Sequence, residues 1–357
     1  AWIRIFQMWP NNLGITTDLV HQGKVNSAQI SKSGDLIITT SDDSTAVIWD
    51  AKTAEKKLVL KLNSHVNWAE FDLNDENILV ATEDSTLVIF DKTGNQIKEI
   101  KGKLNIIRNA AFSNDGKYMV ACDNNGKIIV WNTSDWSEAE ELFFKEFFAT
   151  WFVIFHPTNS NIIAAVYNDG AARLWNWKDY KANDEPIKTF MSAGEGSGTN
   201  MHVAFNTDGT KISVATGSKS PRHVYVWDNS GTKTNMTAAD TLYTVAHEEN
   251  TNMIFSGFYF HVTKNKEILM TAGGDATARS WNAETGKPEP LNNYTQNNVL
   301  REHTDMVTNA VFGKYGSTVV TSSWDKTAKI WNIEKFELQA DISDSSFFFV
   351  KPNIELK

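Results

Sequence analysis

The stretch Arg301–Asn332, REHTDMVTNAVFGKYGSTVVTSSWDKTAKIWN, contains the pattern that decides the fold. Apolar and β-branched residues dominate three short runs, 306–312, 317–322 and 327–331, and turn-forming residues separate these runs. The pattern predicts three short antiparallel strands joined by tight turns. A sheet of this size cannot bury both of its apolar faces alone, so it needs further copies packed against it.

Further copies of the unit are marked by an aromatic residue followed by Asp or Asn. The aromatic residues of these pairs are Trp49, Phe90, Trp131, Trp175, Trp227, Trp281 and Trp331. The steps between them are 41, 41, 44, 52, 54 and 50 residues. A period of about 40 to 45 residues with four strands per repeat is typical of a β-propeller. The longer steps predict insertions as surface loops at residues 192–200, 217–223, 229–241 and 284–300.

The repeats between His21 and Asn332 resemble those of the WD-repeat family. The resemblance implies an all-β fold, a closed β-propeller built from four-stranded antiparallel blades. Seven repeats are contiguous in the sequence. We predict eight blades, of which one is a composite of both termini, with seven blades as the alternative. On this interpretation residues 1–357 form a single WD-repeat propeller domain.

The eighth blade is predicted from strand-like segments at the two ends of the chain. Residues 1–20 would supply its outer strands, the second of them from 13–20, and residues 343–357 would supply its inner strands. Residues 336–342 would then be the outer strand of the preceding blade. Pairing of the two ends would remove exposed sheet edges, which promote aggregation.

Composition and charge argue against several classes of function. The net charge of −9 disfavours a broad nucleic-acid-binding surface. The single cysteine, Cys122, excludes an internal disulfide. No apolar run approaches the ~20 residues of a membrane-spanning helix, and the N-terminal residues lack the apolar core of a signal peptide. We expect an intracellular, cytoplasmic protein without membrane insertion, with the cytoskeleton or cilium as alternative locations.

Two repeats carry the residues that correspond to the structural tetrad of the WD-repeat family. They are His21, Asp43 and Trp49 in the first repeat, and His303, Thr321 (with Ser323 as the alternative hydroxyl), Asp325 and Trp331 in the seventh. The aspartate can accept from the histidine, the histidine can bind the hydroxyl, and the hydroxyl can accept from the indole, which satisfies polar groups buried between blades. A Ser/His/Asp set also occurs in hydrolases. Here each set falls within one repeat, so we interpret it as structural.

The other repeats depart from the tetrad pattern. Asp84, Asp169 and Asp275 keep the turn aspartate, whereas Asn125 and Pro221 replace it. No histidine precedes the first strand at the expected place in repeats two to four. His247 is expected to fill this place in repeat six, despite an insertion.

The resemblance also implies a partner-binding top face. Family members line this face with the residue before each turn aspartate, here Asp42, Glu83, Asn124, Asn168, Gly274 and Trp324. Residues at the start of each inner strand line it as well, here Lys24, Asn26, His65, Asn67, Ile106, Arg108, Trp151, Met306 and Thr308. Trp, Met and Arg dominate interface energetics. The predicted partner-binding residues are therefore Trp151, Trp324, Met306 and Arg108, with His65 and Lys24. The alternative for each tryptophan is burial between blades or under a loop.

The aromatic segment before repeat four is a further candidate. Phe147 and Phe148 are candidate partner-binding residues that would extend the binding rim beside Trp151, and core packing is the favoured alternative.

The sequence predicts no catalytic residue, metal site or cofactor, because the remaining histidines lack ligand spacing. We predict a non-catalytic protein-interaction scaffold within a multi-protein assembly, which binds other proteins through the top face and the inserted loops. Nucleic acid and small-molecule substrates are not expected. The alternatives are a cytoskeletal or ciliary structural protein and a ubiquitin-ligase substrate receptor. Such receptors often have an Arg two residues after the Asp of a Trp-Asp pair. The receptor is disfavoured because Lys52 and Ser230 occupy this position after the Trp-Asp pairs at 49–50 and 227–228. A propeller enzyme is the least favoured alternative.

Overall fold

The structure, a computed structural model, describes residues 16–143, 148–181, 185–192, 200–217, 223–247, 254–263, 266–291, 298–314 and 316–333, with residues 16, 255 and 258–263 described by backbone alone. The described residues form seven sheets, which we number as blades 1 to 7, and their strands pair antiparallel except at one edge of blade 4. A short strand, β1 (Thr16–Val20), precedes blade 1. No helix in the described ranges is long and apolar enough to cross a membrane.

Blades 1 to 3 have four strands of similar length, because each repeat alternates β-branched residues with tight turns. Blade 1 contains β2 (Val25–Ile30), β3 (Leu36–Ser41), β4 (Thr45–Asp50) and β5 (Lys56–Lys61). Blade 2 contains β6 (Val66–Phe71), β7 (Asn77–Thr82), β8 (Thr86–Asp91) and β9 (Gln96–Lys101). Blade 3 contains β10 (Ile107–Phe112), β11 (Tyr118–Asp123), β12 (Lys127–Asn132) and β13 (Glu138–Phe143).

Blades 4 to 7 include the longer repeats. Blade 4 contains β14 (Thr150–His156), β15 (Asn159–Tyr167), β16 (Ala171–Asn176) and β17 (Lys188–Met191). Blade 5 contains β18 (Asn200–Phe205), β19 (Lys211–Thr216), β20 (Val224–Asp228) and, after β21 (Asn235–Met236) and a 3-10 turn (Ala238–Asp240), β22 (Tyr243–Val245). Blade 6 contains β23 (Ile254–Thr263), β24 (Lys266–Gly273), β25 (Ala278–Asn282) and β26 (Val299–Leu300). Blade 7 contains β27 (Val307–Phe312), β28 (Thr318–Ser323) and β29 (Thr327–Asn332).

The fourth strand of blade 7 comes from the other end of the chain. β1 pairs antiparallel with β29, from Thr16 opposite Trp331 to Val20 opposite Thr327. Leu19 is fully buried beneath this pair. The prediction that residues 13–20 form the outer strand of an eighth blade is therefore wrong for 16–20, which complete blade 7. The predicted strand at 336–342 and the segments 1–15 and 343–357 lie outside the described residues.

Blade 7 packs directly on blade 1. Thr308 Oγ1 donates to the carbonyl of Val25 at 3.0 Å, and Asn309 Nδ2 donates to the carbonyl of Ala28 at 3.0 Å. One hydrophobic cluster joins Leu19 and Ile330 to residues of blade 1. The first and last blades of the ring are thus in contact. The described residues form seven blades, so the predicted count of eight is not confirmed.

The insertion at 229–241 was predicted as a surface loop, but part of it forms a strand. β21 pairs in parallel with β17, which makes blade 4 five-stranded. The Lys188 ammonium donates to the carbonyls of Asn229 and Gly231 at 2.8 Å, and Trp227 Nε1 donates to the carbonyl of Thr237 at 2.8 Å. The insertion of blade 5 therefore covers the outer edge of blade 4.

Candidate partner-binding face

The tetrad of blade 1 lies between the turn after β3 and the loop before β2. His21 Nδ1 donates to Asp43 at 2.9 Å, His21 Nε2 accepts from Thr39 at 2.7 Å, and Thr39 Oγ1 accepts from Trp49 Nε1 at 2.8 Å. Burial lowers the pKa of His21, which favours the neutral ring that this arrangement requires. Thr39, which the sequence pattern does not single out, is the central hydroxyl.

Blades 6 and 7 repeat this arrangement. His303 bonds Asp325 at 2.8 Å and Thr321 at 2.7 Å, and Trp331 Nε1 donates to Thr321 at 2.8 Å. In blade 6, a set of His247, Asp275, Thr271 and Trp281 has distances of 2.8, 2.8 and 2.9 Å. The three threonines are fully buried. Since the hydroxyls have no access to substrate, the arrangement holds strands together and is not a hydrolase triad.

Blade 3 replaces the turn aspartate with a carboxylate two residues earlier. Asp123 accepts from the backbone N–H groups of Asn105 at 2.8 Å and of Lys127 at 2.9 Å. In blade 1, Asp43 accepts from the backbone N–H groups of Gln22, in the loop before β2, and of Thr45, the first residue of β4. Asn125 does occupy the turn position, as predicted, but the anchoring function belongs to Asp123.

Each inner strand carries a one-residue bulge at its second position. The register shift occurs in all seven blades, at Asn26, Asn67, Arg108, Trp151, Met201, Phe255 and Thr308. A bulge re-aims its side chain. We call these seven residues the bulge ring. They follow the order of the blades around the propeller axis, on the side of the turns after β3, β7 and β11, which we call the top face.

Three members of the bulge ring connect neighbouring blades by hydrogen bonds. Asn26 Nδ2 donates to the carbonyl of Val66 at 3.0 Å, and Asn67 Nδ2 donates to the carbonyl of Ile107 at 2.8 Å. Thr308 makes the equivalent bond from blade 7 to blade 1. The predicted top-face residues Asn26, Asn67 and Thr308 therefore join blades.

Arg108 and Trp151 interact differently. The guanidinium carbon of Arg108 lies 4.5 Å from the centre of the Trp151 ring, and both side chains are half-buried. This cation–π contact bridges blades 3 and 4. Arg108 Nε and Trp151 Nε1 have no hydrogen-bond partner among the described residues.

A second cation–π pair lies between blades 7 and 1. The Lys24 ammonium is 3.8 Å from the centre of the half-buried Trp324 ring. The backbone N–H of Trp324 donates to the carbonyl of Met306 at 3.0 Å, so the half-buried Met306 lies at the same junction. The structure therefore brings together three of the predicted partner-binding residues.

His65 lies on the top face between blades 1 and 2. Its Nδ1 is 3.1 Å from Glu83 and 3.9 Å from Asp42. The cluster carries two carboxylates, with His65 and Glu83 exposed and Asp42 half-buried. The top face thus has an acidic sector at blades 1 and 2, beside the basic and aromatic sector at blades 3 and 4.

Phe148 does not extend the top face in the manner predicted. It is half-buried and packs against the hydrophobic cluster shared by blades 3 and 4. This is the core-packing alternative. Phe147 lies outside the described residues.

Comparison with known proteins gives a consistent result. The family model described as WD domain, G-beta repeat matches residues 15–50, 94–132 and 294–332, together about a third of the chain. The first and third segments contain the tetrads of blades 1 and 7. The chain is also similar to the Coronin-like protein of Saccharomyces cerevisiae, with 31% identity over 83 residues, which is 23% of this chain and 11% of that protein. The match therefore spans about a tenth of that relative's length.

Proposed function

We propose that this chain, which belongs to the WD-repeat family of β-propellers, is a non-catalytic scaffold subunit that binds other proteins through its top face and inserted loops. Proteins of this family generally act as interaction scaffolds. Membership of a multi-protein assembly is part of the proposal.

The observation that carries the proposal is the pair of cation–π contacts on opposite sides of the bulge ring. Arg108 with Trp151 lies at the junction of blades 3 and 4, and Lys24 with Trp324 lies at the junction of blades 7 and 1. Half-buried tryptophans beside cations are the side chains that contribute most to protein interfaces. Because they stand on a rigid ring, a partner would lose little free energy in ordering them.

The test compares variants of the top face by affinity purification from the native source, followed by mass spectrometry. The double variant Trp151→Ala with Trp324→Ala should lose partners that the unmodified chain retains. The control is Ile187→Ala with Leu242→Ala, which removes exposed apolar side chains outside the bulge ring. Thermal unfolding verifies that both variants are folded. Equal partner recovery by the two folded double variants would refute the top-face assignment.

A structural role on the cytoskeleton is the second candidate. The similarity to the yeast Coronin-like protein is the observation that favours it. Under either candidate we propose an intracellular, cytoplasmic location. Co-sedimentation with actin filaments and with microtubules tests the second candidate, and absence of the protein from both pellets would reject it.

A further inference from the structure

We propose that the Arg108–Trp151 pair is a receptor for the carboxylate of an acidic side chain in a partner protein. This inference rests on the proposed scaffold function, because it specifies what one sector of the top face binds. The partner segment would place a Glu or Asp side chain against the guanidinium group, at the junction of blades 3 and 4.

Three arginines on the blades differ in whether a carboxylate pairs with them. Arg173 forms an ion pair with Asp169, and Arg279 forms one with Asp275 at 2.9 Å. In the described part of the chain, no carboxylate lies within ion-pair distance of Arg108, although its side chain is half-buried. Glu83 contributes charge at longer range, but its carboxylate is paired with His65 at 3.1 Å. A half-buried cation without a counter-ion has lost part of its hydration, and no opposite charge compensates for this loss.

The equivalent position in blade 1 carries a different pair of side chains. There the bulge residue Asn26 donates to the turn residue Asp42 at 2.9 Å. The corresponding turn residue of blade 3 is Asn124, because its backbone N–H bonds the carbonyl of Ile106 just as that of Asp42 bonds Lys24. Blade 1 thus combines a neutral bulge residue with a carboxylate, whereas blade 3 combines a cationic bulge residue with an amide. The carboxylate that would neutralise Arg108 has to come from outside the blade.

Arg108, Trp151 and Asn124 each contain a buried polar atom without a hydrogen-bond partner among the described residues. Arg108 Nε and Trp151 Nε1 are buried donors without partners, and Asn124 Oδ1 is a buried acceptor without one. Because these atoms themselves are shielded from solvent, a partner's carboxylate would contact the accessible part of the half-buried Arg108 side chain. Burial lowers the pKa of Arg108, and a bound carboxylate would oppose this effect.

The geometry favours an acidic side chain over a terminal carboxylate. A planar guanidinium binds a carboxylate through two parallel hydrogen bonds, and stacking on an indole holds its plane in place. Terminal carboxylates are typically captured by nests of backbone N–H groups. The unpaired donors at this junction belong to side chains.

The experiment uses the full chain and a fluorescein-labelled hexaglutamate peptide with an amidated C-terminus. Fluorescence anisotropy measures the affinity for the peptide. The indole resonance of Trp151 in ¹⁵N-tryptophan-labelled protein shows whether the peptide binds at this residue, and the Trp151→Phe variant assigns that resonance. We expect the peptide to shift this resonance. The Arg108→Gln variant should weaken binding by about tenfold or more. Asn124→Asp should weaken it similarly, because it supplies an internal carboxylate while retaining the arginine.

The control variant is Lys92→Gln, which removes one positive charge at an exposed residue paired with Glu76. It should leave binding unchanged. Hexaglutamine with an amidated C-terminus should not shift the Trp151 resonance. Binding of hexaglutamine with a free C-terminus as tightly as hexaglutamate would overturn the side-chain assignment, and tighter binding of a phosphoserine peptide would overturn the choice of carboxylate. No shift of Trp151 with hexaglutamate, or binding unaffected by Arg108→Gln, would also reject the proposal.

Partner recovery separates this inference from the scaffold function. If Arg108→Gln retains the native partners that the Trp151/Trp324 double variant loses, the carboxylate receptor is refuted and the scaffold stands. If no variant alters partner recovery, the top-face scaffold is refuted, and the receptor for a partner's carboxylate is refuted with it, even where hexaglutamate binds at Trp151.

Discussion

The carboxylate of Asp123 and the backbone N–H of Asn105 are joined by a 2.8 Å hydrogen bond that ties the loop before blade 3 to the turn after β11. In blade 1 the same connection is made by Asp43 and Gln22 at 2.9 Å. The two aspartates occupy different positions of the repeat. Blade 3 therefore retains the anchoring bond of a tetrad although its histidine and its turn aspartate are both absent.

This relationship predicts which residue of blade 3 stabilises the fold. Asp123→Ala should lower the free energy of unfolding by about 1–3 kcal/mol, because it leaves several backbone donors without an acceptor. Asn125→Ala, at the turn position itself, should change it by less than about 0.5 kcal/mol. Urea denaturation of both variants measures the difference. A larger loss of stability for Asn125→Ala than for Asp123→Ala would contradict the conclusion that Asp123 makes the anchoring bonds of blade 3.

The tetrad of blade 7 predicts a similar loss. Asp325 accepts from His303, from the backbone N–H of Thr304 at 3.0 Å and from that of Thr327 at 2.9 Å. Asp325→Ala should therefore destabilise the protein by about 1–3 kcal/mol. Asp35→Ala, at an exposed aspartate, is the matched control and should leave the melting curve unchanged. Identical curves for the two variants would argue against a stabilising role for the tetrad.

The completion of blade 7 by β1 predicts opposite results for two adjacent residues. Leu19 is fully buried, whereas Val20 is 51% exposed. Leu19→Ala should cost about 2–4 kcal/mol of stability through lost packing, and Val20→Ala should cost less than about 0.5 kcal/mol. Chemical denaturation of each variant provides the comparison. Equal, small losses would mean that this strand contributes little to closing the ring.

The environment of Asp43 predicts a dependence of stability on pH. Burial by itself would raise the pKa of Asp43, but hydrogen bonds from Thr45, from the Gln22 backbone and from His21 outweigh it and lower the pKa to about 2. The folded state then binds fewer protons than the unfolded state, whose aspartate has a pKa of 3.8. The stabilisation is present above pH 4 and is lost as the pH falls from about 4 to 2.

The measurement is the unfolding free energy at pH 6 and at pH 3. Asp43 should account for about 1 kcal/mol of the decrease between these values. Asp43→Asn cannot ionise, so its decrease should be smaller by that amount. Part of the dependence should persist, because the pKa of Asp325 is also lowered, by hydrogen bonds from His303 and Thr327 that outweigh the effect of burial. Parallel pH profiles of the variant and the unmodified chain would be inconsistent with this account.

Much of the fold and part of the top face could be predicted from the sequence. The strands of the repeat at 301–332 were predicted to within one residue of their observed bounds, because alternation and turn residues are local signals. The positions of His303, Asp325 and Trp331 follow from spacing within one repeat. Asp123 was missed, since a carboxylate displaced by two residues no longer matches the pattern. The bulges were missed as well, since no residue type marks them.

The sequence alone, through its repeat spacing and its resemblance to the WD-repeat family, determined a ring of blades, because each repeat encodes its own inner strands, turns and two apolar faces. Only the tertiary structure decided which blade β1 completes and which side chains meet between blades. Strand edges present the same backbone donors and acceptors to any strand, so the sequence of β1 does not determine the strand with which it pairs. Arg108 and Trp151, likewise, come from different repeats, and their contact depends on how blades 3 and 4 pack.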